Sequence, residues 1–157
     1  MRRLFVCHRL LGWSCTDLFD VVSNVKEYKH FLPLCQGSEI IERKGDNIKA
    51  RLEIGFPPMT ASYTSHVTLE RPLKVKAVCF EGDLFSHLIC SWNFTSKTKR
   101  TTLVQLDLDL ELKNPVLDSL FHHKFEDVSQ ATMQAFIRRT ESIYGPPIPC
   151  NTLDILS

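Results

Sequence analysis

VQLDLDLELKNPVL, residues 104–117, decides the fold, because the hydrophobic period changes inside it. Val104, Leu106, Leu108, Leu110 and Leu112 alternate with Gln105, Asp107, Asp109, Glu111 and Lys113. A period of two puts the first set on one face and the second on the other, so the segment reads as a long strand with one buried and one wet face. Asn114 and Pro115 then start a helix: an Asn side chain caps free amides, and Pro fits the first helical position, where its missing N–H costs nothing. Leu117, Leu120, Phe121, Phe125, Val128, Ala131, Ala135 and Phe136 follow as an apolar stripe over about seven turns of ~3.6 residues. Gly145, Pro146 and Pro147 supply the stop. The pattern predicts one long amphipathic C-terminal helix lying on a sheet.

Working backwards, the strand rhythm recurs. Ala50, Leu52, Ile54 and Phe56 alternate with Lys49, Arg51, Glu53 and Gly55; Tyr63, Ser65, Val67 and Leu69 suggest another strand, and Leu88, Cys90, Trp92 and Phe94 a further one. Turn residues at Gly45 to Asn47, Arg71 with Pro72, Gly82 with Asp83, and Lys97 to Arg100 separate them, and links this short join antiparallel neighbours. Near the start, Ser14 to Asp17 form a capping box. A helix with Leu18, Phe19, Val22 and Val25 on one side should follow it, then a helical turn over Glu27 to Leu32 ended by Pro33. Leu4 to Trp13 read as a first strand, although the basic, acid-free first sixteen residues also have the composition of an organelle-targeting segment. The order is strand, short helices, antiparallel strands, long helix. This is α+β, an antiparallel sheet with a long helix laid on it, and 1–157 reads as one domain.

Composition narrows the function. A chain of 157 residues suits one core, and a net charge of +1 provides no broad field for nucleic acid. The six cysteines form no C-x-x-C pair, so reduced thiols are expected, with Cys79 and Cys90 as the pair a hairpin could bring face to face. No apolar run approaches the ~20 residues that span a bilayer, which leaves peripheral membrane contact.

Three motifs carry a resemblance: DVVSNVKEYKHFLPLC at Asp20 to Cys35, GFPP at Gly55 to Pro58, and LFSHLICSWNF at Leu84 to Phe94. In this order, within a match running from about His8 to Pro146, the chain resembles the mitochondrial coenzyme Q-binding proteins of the polyketide cyclase and START-like superfamily. The resemblance implies a helix-grip fold, a curved antiparallel sheet wrapped around the long C-terminal helix with a lipid cavity between them, and a single START-like domain with its core over about 8–146 and a tail at 147–157. It also implies a carrier or chaperone of coenzyme Q (ubiquinone) that supports respiratory electron transport and ubiquinone biosynthesis without catalysing a reaction. Localisation would be mitochondrial, on the matrix side of the inner membrane. Members carry a long presequence, whereas Met1 here stands within a few residues of the first strand. By the same resemblance Phe56, Pro57, Pro58 and Met59 would form a loop at the cavity mouth, where proline removes amide donors that lipid could not satisfy.

An isoprenoid tail needs a long apolar slot and a quinone head needs a donor or two. The expected lining is Leu52, Ile54, Phe56, Trp92 and Phe94 from strands with Leu117, Phe121, Phe125 and Val128 from the helix, each of which could equally be core. Phe31, Leu32 and Pro33 would make the other lip, and Lys26 and Lys29 beside them either face an anionic membrane or are simply solvated. Self-association stays open. No catalytic or metal residue is expected. Asp107, Asp109 and Glu111 should point to water, and adjacent His122 and His123 diverge by about 100° on a helix. Two other readings remain, a cyclase or aromatase of the same superfamily and a ribosome-interacting protein like bacterial relatives.

Overall fold

The Ser14 hydroxyl accepts a hydrogen bond from the Asp17 amide at 3.1 Å, so the expected cap begins a helix there, while the first strand stops at Leu11, short of Trp13. In the computed structural model, which describes residues 1–56 and 59–150, the elements run β1 (Arg3–Leu11), α1 (Cys15–Ser23), a 3₁₀ turn (Val25–His30), β2 (Cys35–Lys44), β3 (Asn47–Phe56) and β4 (Met59–Glu70). They continue with β5 (Lys74–Gly82), β6 (Phe85–Thr98), β7 (Thr101–Leu112), α2 (Pro115–Phe121) and α3 (Phe125–Tyr144).

All seven strands form one antiparallel sheet in the order β1-β7-β6-β5-β4-β3-β2. The chain meanders from β2 to β7, and β1 closes on the far side of β7. Leucines 106, 110 and 112 of β7 are buried, while its carboxylates lie on the opposite, outer face. There the Arg2 guanidinium donates to Asp109 at 2.7 Å and holds that carboxyl down at about 2.

Two apolar clusters make up the interior. The larger joins Leu18, Phe19 and Val22 of α1 and Met133 and Phe136 of α3 to Trp92, Phe94 and Leu106 of the sheet. The smaller gathers Leu84, Leu88, Leu110 and Leu112 beneath Leu117 of α2.

The single long helix does not form: α2 and α3 are separated by a turn at His122 to Lys124. In an unbroken helix the His122 amide would donate to the Asp118 carbonyl four residues back. Instead Arg3 Nη2, from β1, donates to that carbonyl at 2.9 Å, and the His122 amide turns to Ser119 O at 3.3 Å. The Lys124 amide likewise bonds three residues back, to Phe121 O. The break resets the helical phase, so Leu120 is 68% exposed and Ala131 also leaves the buried stripe.

Two strands carry no clear alternation in sequence. In β2 the rhythm is broken by register shifts between Cys35 and Gly37 and between Ile40 and Glu42. In β5, Val78 and Phe80 are exposed apolar residues on the outer face, which hides the inward set of Val75, Ala77 and Cys79. The β5–β6 register sets Cys90 opposite Ala77, not Cys79, and all six cysteines are free thiols. At the C-terminal end Gly145 stops α3 with φ of 83°, and the chain returns to β1. Ile148 comes so close to Gly12 that a Cβ there would sit 2.1 Å from its carbonyl oxygen.

Candidate functional site

Between the two clusters lies a cavity of about 210 Å³, walled by the inner faces of β3 to β7 and roofed by the 3₁₀ segment, α2 and α3. Each wall follows from strand alternation. Ala50, Leu52 and Ile54 of β3, Tyr63, Ser65 and Val67 of β4, and Leu106, Leu108, Leu110 and Leu112 of β7 are successive inward positions.

Of the residues expected to line a slot, Leu52, Ile54, Trp92, Phe121, Phe125 and Val128 face this cavity. Phe94 does not. It lies in the larger cluster under α1, its ring 6.2 Å from that of Phe19. Leu117 packs into the smaller cluster on the leucines of β6 and β7. Met59 begins β4 and is exposed, while Pro57, Pro58 and the side chain of Phe56 lie outside the described residues. Leu32 and Pro33 border the cavity, whereas Phe31 turns onto Tyr28 and Phe136 with both ring distances between 5 and 6 Å, at 5.9 and 5.2 Å. Lys29 reaches back to the Ser38 carbonyl at 3.4 Å.

Phe121 and Phe125 stand on either side of the break and meet edge-on at 6.0 Å, both facing the cavity. Arg3 anchors that arrangement. Its buried guanidinium donates to Asp118 Oδ1 and O and to His122 Nδ1 at 3.1 Å, which fixes the His122 proton on Nε2.

The lining is apolar and, among the described residues, contains no Lys, Arg, His, Asp or Glu. Its ionisable groups are phenols and thiols, and burial keeps them neutral. Desolvation raises Tyr28 and Tyr63 well above the ordinary phenol range and pushes the Cys90 thiol up to about 12. Tyr63 and Cys90 retain some accessible surface, but it faces the cavity and not bulk water. The Tyr28 hydroxyl donates to Val22 O and that of Thr132 to Val128 O, so both are occupied. Ser65, inward on β4, passed in the sequence as an ordinary member of an alternating strand. It is the polar group that strand periodicity could place but not assign.

Residues 12–137 match the model of a family described as polyketide cyclase / dehydrase and lipid transport. The mitochondrial coenzyme Q-binding protein of Drosophila melanogaster is 32% identical over 148 residues, which cover 92% of this chain and 61% of that protein. The chain thus spans about three fifths of that relative's length. The ribosome association toxin of Escherichia coli is 25% identical over 136 residues, covering 87% of this chain and 85% of the toxin. Among solved structures, an aromatase/cyclase from Streptomyces superposes with a TM-score of 0.76 at 16% identity, covering 90% of this chain and 94% of the other. That likeness establishes the shared helix-grip architecture. On the strength of a match over most of its length, the chain belongs to the polyketide cyclase / dehydrase and lipid transport family.

Proposed function

We propose that this chain is a coenzyme Q-binding protein, one lipid-binding domain that shields a quinone from water and performs no covalent chemistry on it. The observation that carries the reading is the cavity between sheet and helix, walled among the described residues without a charged side chain. Leu52, Ile54, Trp92, Phe121, Phe125 and Val128 would hold the isoprenoid tail. Burying such a tail yields roughly 25 cal/mol per Å² of apolar surface, so affinity needs only shape and hydrophobicity along most of its length. At about 210 Å³ the cavity takes a head and the start of a tail. The rest of a long tail would leave past the lip at Leu32 and Pro33 and the tip between β3 and β4, where Phe56, Pro57, Pro58 and Met59 would meet lipid.

The names of the coenzyme Q-binding relatives support this ligand and a mitochondrial location. Within that reading the protein carries or chaperones ubiquinone at the matrix side of the inner membrane, touching the bilayer peripherally and serving respiration and ubiquinone synthesis. A cyclase role would require an acid or base at the cavity wall, and the described lining offers only neutral hydroxyls and thiols. The ribosomal reading rests on the name of the bacterial relative.

Organic extraction and mass spectrometry of the purified protein test the proposal. Quinone near one equivalent is expected, and its loss from a folded Val128→Lys variant would tie it to the cavity. Protein that copurifies without prenyl lipid and does not take up added ubiquinone would refute the reading.

A further inference from the structure

Ser65 is only 4% exposed, lines the cavity from β4, and its Oγ has no hydrogen-bond partner. An unpaired hydroxyl in such a place costs free energy, and buried polar groups are as a rule satisfied. Two positions along the same strand face, the Tyr63 hydroxyl also makes no hydrogen bond among the described residues, its ring braced edge-on by Phe85 at 4.9 Å. Around them the wall is apolar. Ala50 and Cys79 flank Ser65 on the neighbouring strands, and Leu52 and Gly82 flank Tyr63. Ser129 lines the cavity from α3, across from the sheet.

We infer that Ser65, with Tyr63, is the head-group site of this cavity, and that it selects a neutral head bearing a carbonyl oxygen while rejecting an ionised one. This rests on the lipid reading above and specifies the ligand's polar end. A carbonyl oxygen supplies the acceptor that the Ser65 hydroxyl lacks. A carboxylate or phosphate would have to shed its water in a cavity whose described lining offers no cation to receive it. Because a hydroxyl accepts as readily as it donates, the same pair also fits a head that carries a hydroxyl in place of the carbonyl, so a quinone and its two-electron reduced quinol both bind.

The test compares four probes on the whole chain by displacement of a fluorescent apolar dye: a short-tailed ubiquinone, its quinol, the isoprenoid hydrocarbon farnesane, and palmitate. Wild type is expected to bind both quinone forms within about threefold of each other, to bind farnesane more weakly, and to leave palmitate unbound at neutral pH, differences of the size that one hydrogen bond or one unpaired charge makes. Ser65→Ala removes an unpaired buried hydroxyl, so the free protein should be at least as stable as wild type. Its quinone affinity should fall about 3- to 10-fold while farnesane binding is unchanged. Tyr63→Phe, which preserves the ring, should act in the same direction.

Equal losses of quinone and farnesane in Ser65→Ala would make Ser65 a packing residue and overturn the assignment. So would quinone affinity that neither variant alters, or palmitate bound as tightly as quinone. In each of these cases quinone or farnesane still binds wild type and the lipid reading stands. If no probe displaces the dye, the lipid reading falls and the head-group site falls with it.

Discussion

The Phe136 ring meets Trp92 at 4.8 Å and Tyr28 and Phe31 at 5.2 Å each, all edge-on, so one side chain of α3 ties the helix to the sheet and to the 3₁₀ turn. Truncating it removes a buried ring and leaves a void continuous with the cavity that Phe136 already borders. Phe136→Ala should destabilise the protein by about 3–5 kcal/mol, read as a lower urea midpoint at unchanged slope. A cost under about 1 kcal/mol would mean that the cavity walls collapse onto the gap. Phe136→Leu should lose less. Residues of this kind mark how far the sequence could be read. Alternation put Trp92 and Phe94 on the same face of β6, and both are buried there, but what covers each one depends on distant elements. The roof above Phe94 is Phe19 of α1, whereas Trp92 lies under Phe136 of α3 and borders the cavity. Ser65 escaped notice for a related reason: a lone serine in an inward series has no meaning until its missing partner is visible.

The elements themselves were legible wherever one face is dry and the other wet. That condition holds along β3, β4, β6 and β7 and for the caps at Ser14 and Asn114. The Asn114 side chain accepts from the amides of Val116 and Leu117 at 2.8 and 3.2 Å. It fails for β2, whose bulges shift the rhythm, and for β5, which is apolar on both faces near its end. The break between α2 and α3 was illegible because the group that occupies the Asp118 carbonyl there, the Arg3 guanidinium, lies over a hundred residues away in sequence. This gives a prediction at the same scale. Arg3→Ala removes the donors to Asp118 and His122 that tie α2 to β1, so amides of residues 116–122 should exchange with deuterium faster while those of α3 and the central strands keep their protection. Slower exchange through His122 to Lys124 would instead mean that Arg3 had only been preventing a continuous helix.

At the scale of the whole molecule the interior is divided, with one cluster under α1 and α3 and another under α2, and an apolar cavity between them where a filled core would be more stable. Lining atoms around such a space forgo the dispersion contacts they would have in a close-packed interior. A ligand that fills the space restores those contacts and, on our assignment, supplies a partner for Ser65, so binding and folding are linked. On that proposal the folded protein binds and the unfolded chain does not. At a free ligand concentration of 100 times Kd this linkage adds about 2.7 kcal/mol, or roughly 5–10 °C in Tm for a domain of this size. Short-tailed ubiquinone should therefore raise Tm in a manner that keeps increasing with the logarithm of its concentration past saturation, as mass action on the unfolding equilibrium demands. The shift should shrink in Val128→Lys, where a charge intrudes on the cavity, and persist in an outer-face change such as Lys76→Ala. A Tm that stays flat while quinone demonstrably binds would place the ligand on a surface that survives unfolding, not in the space between sheet and helix.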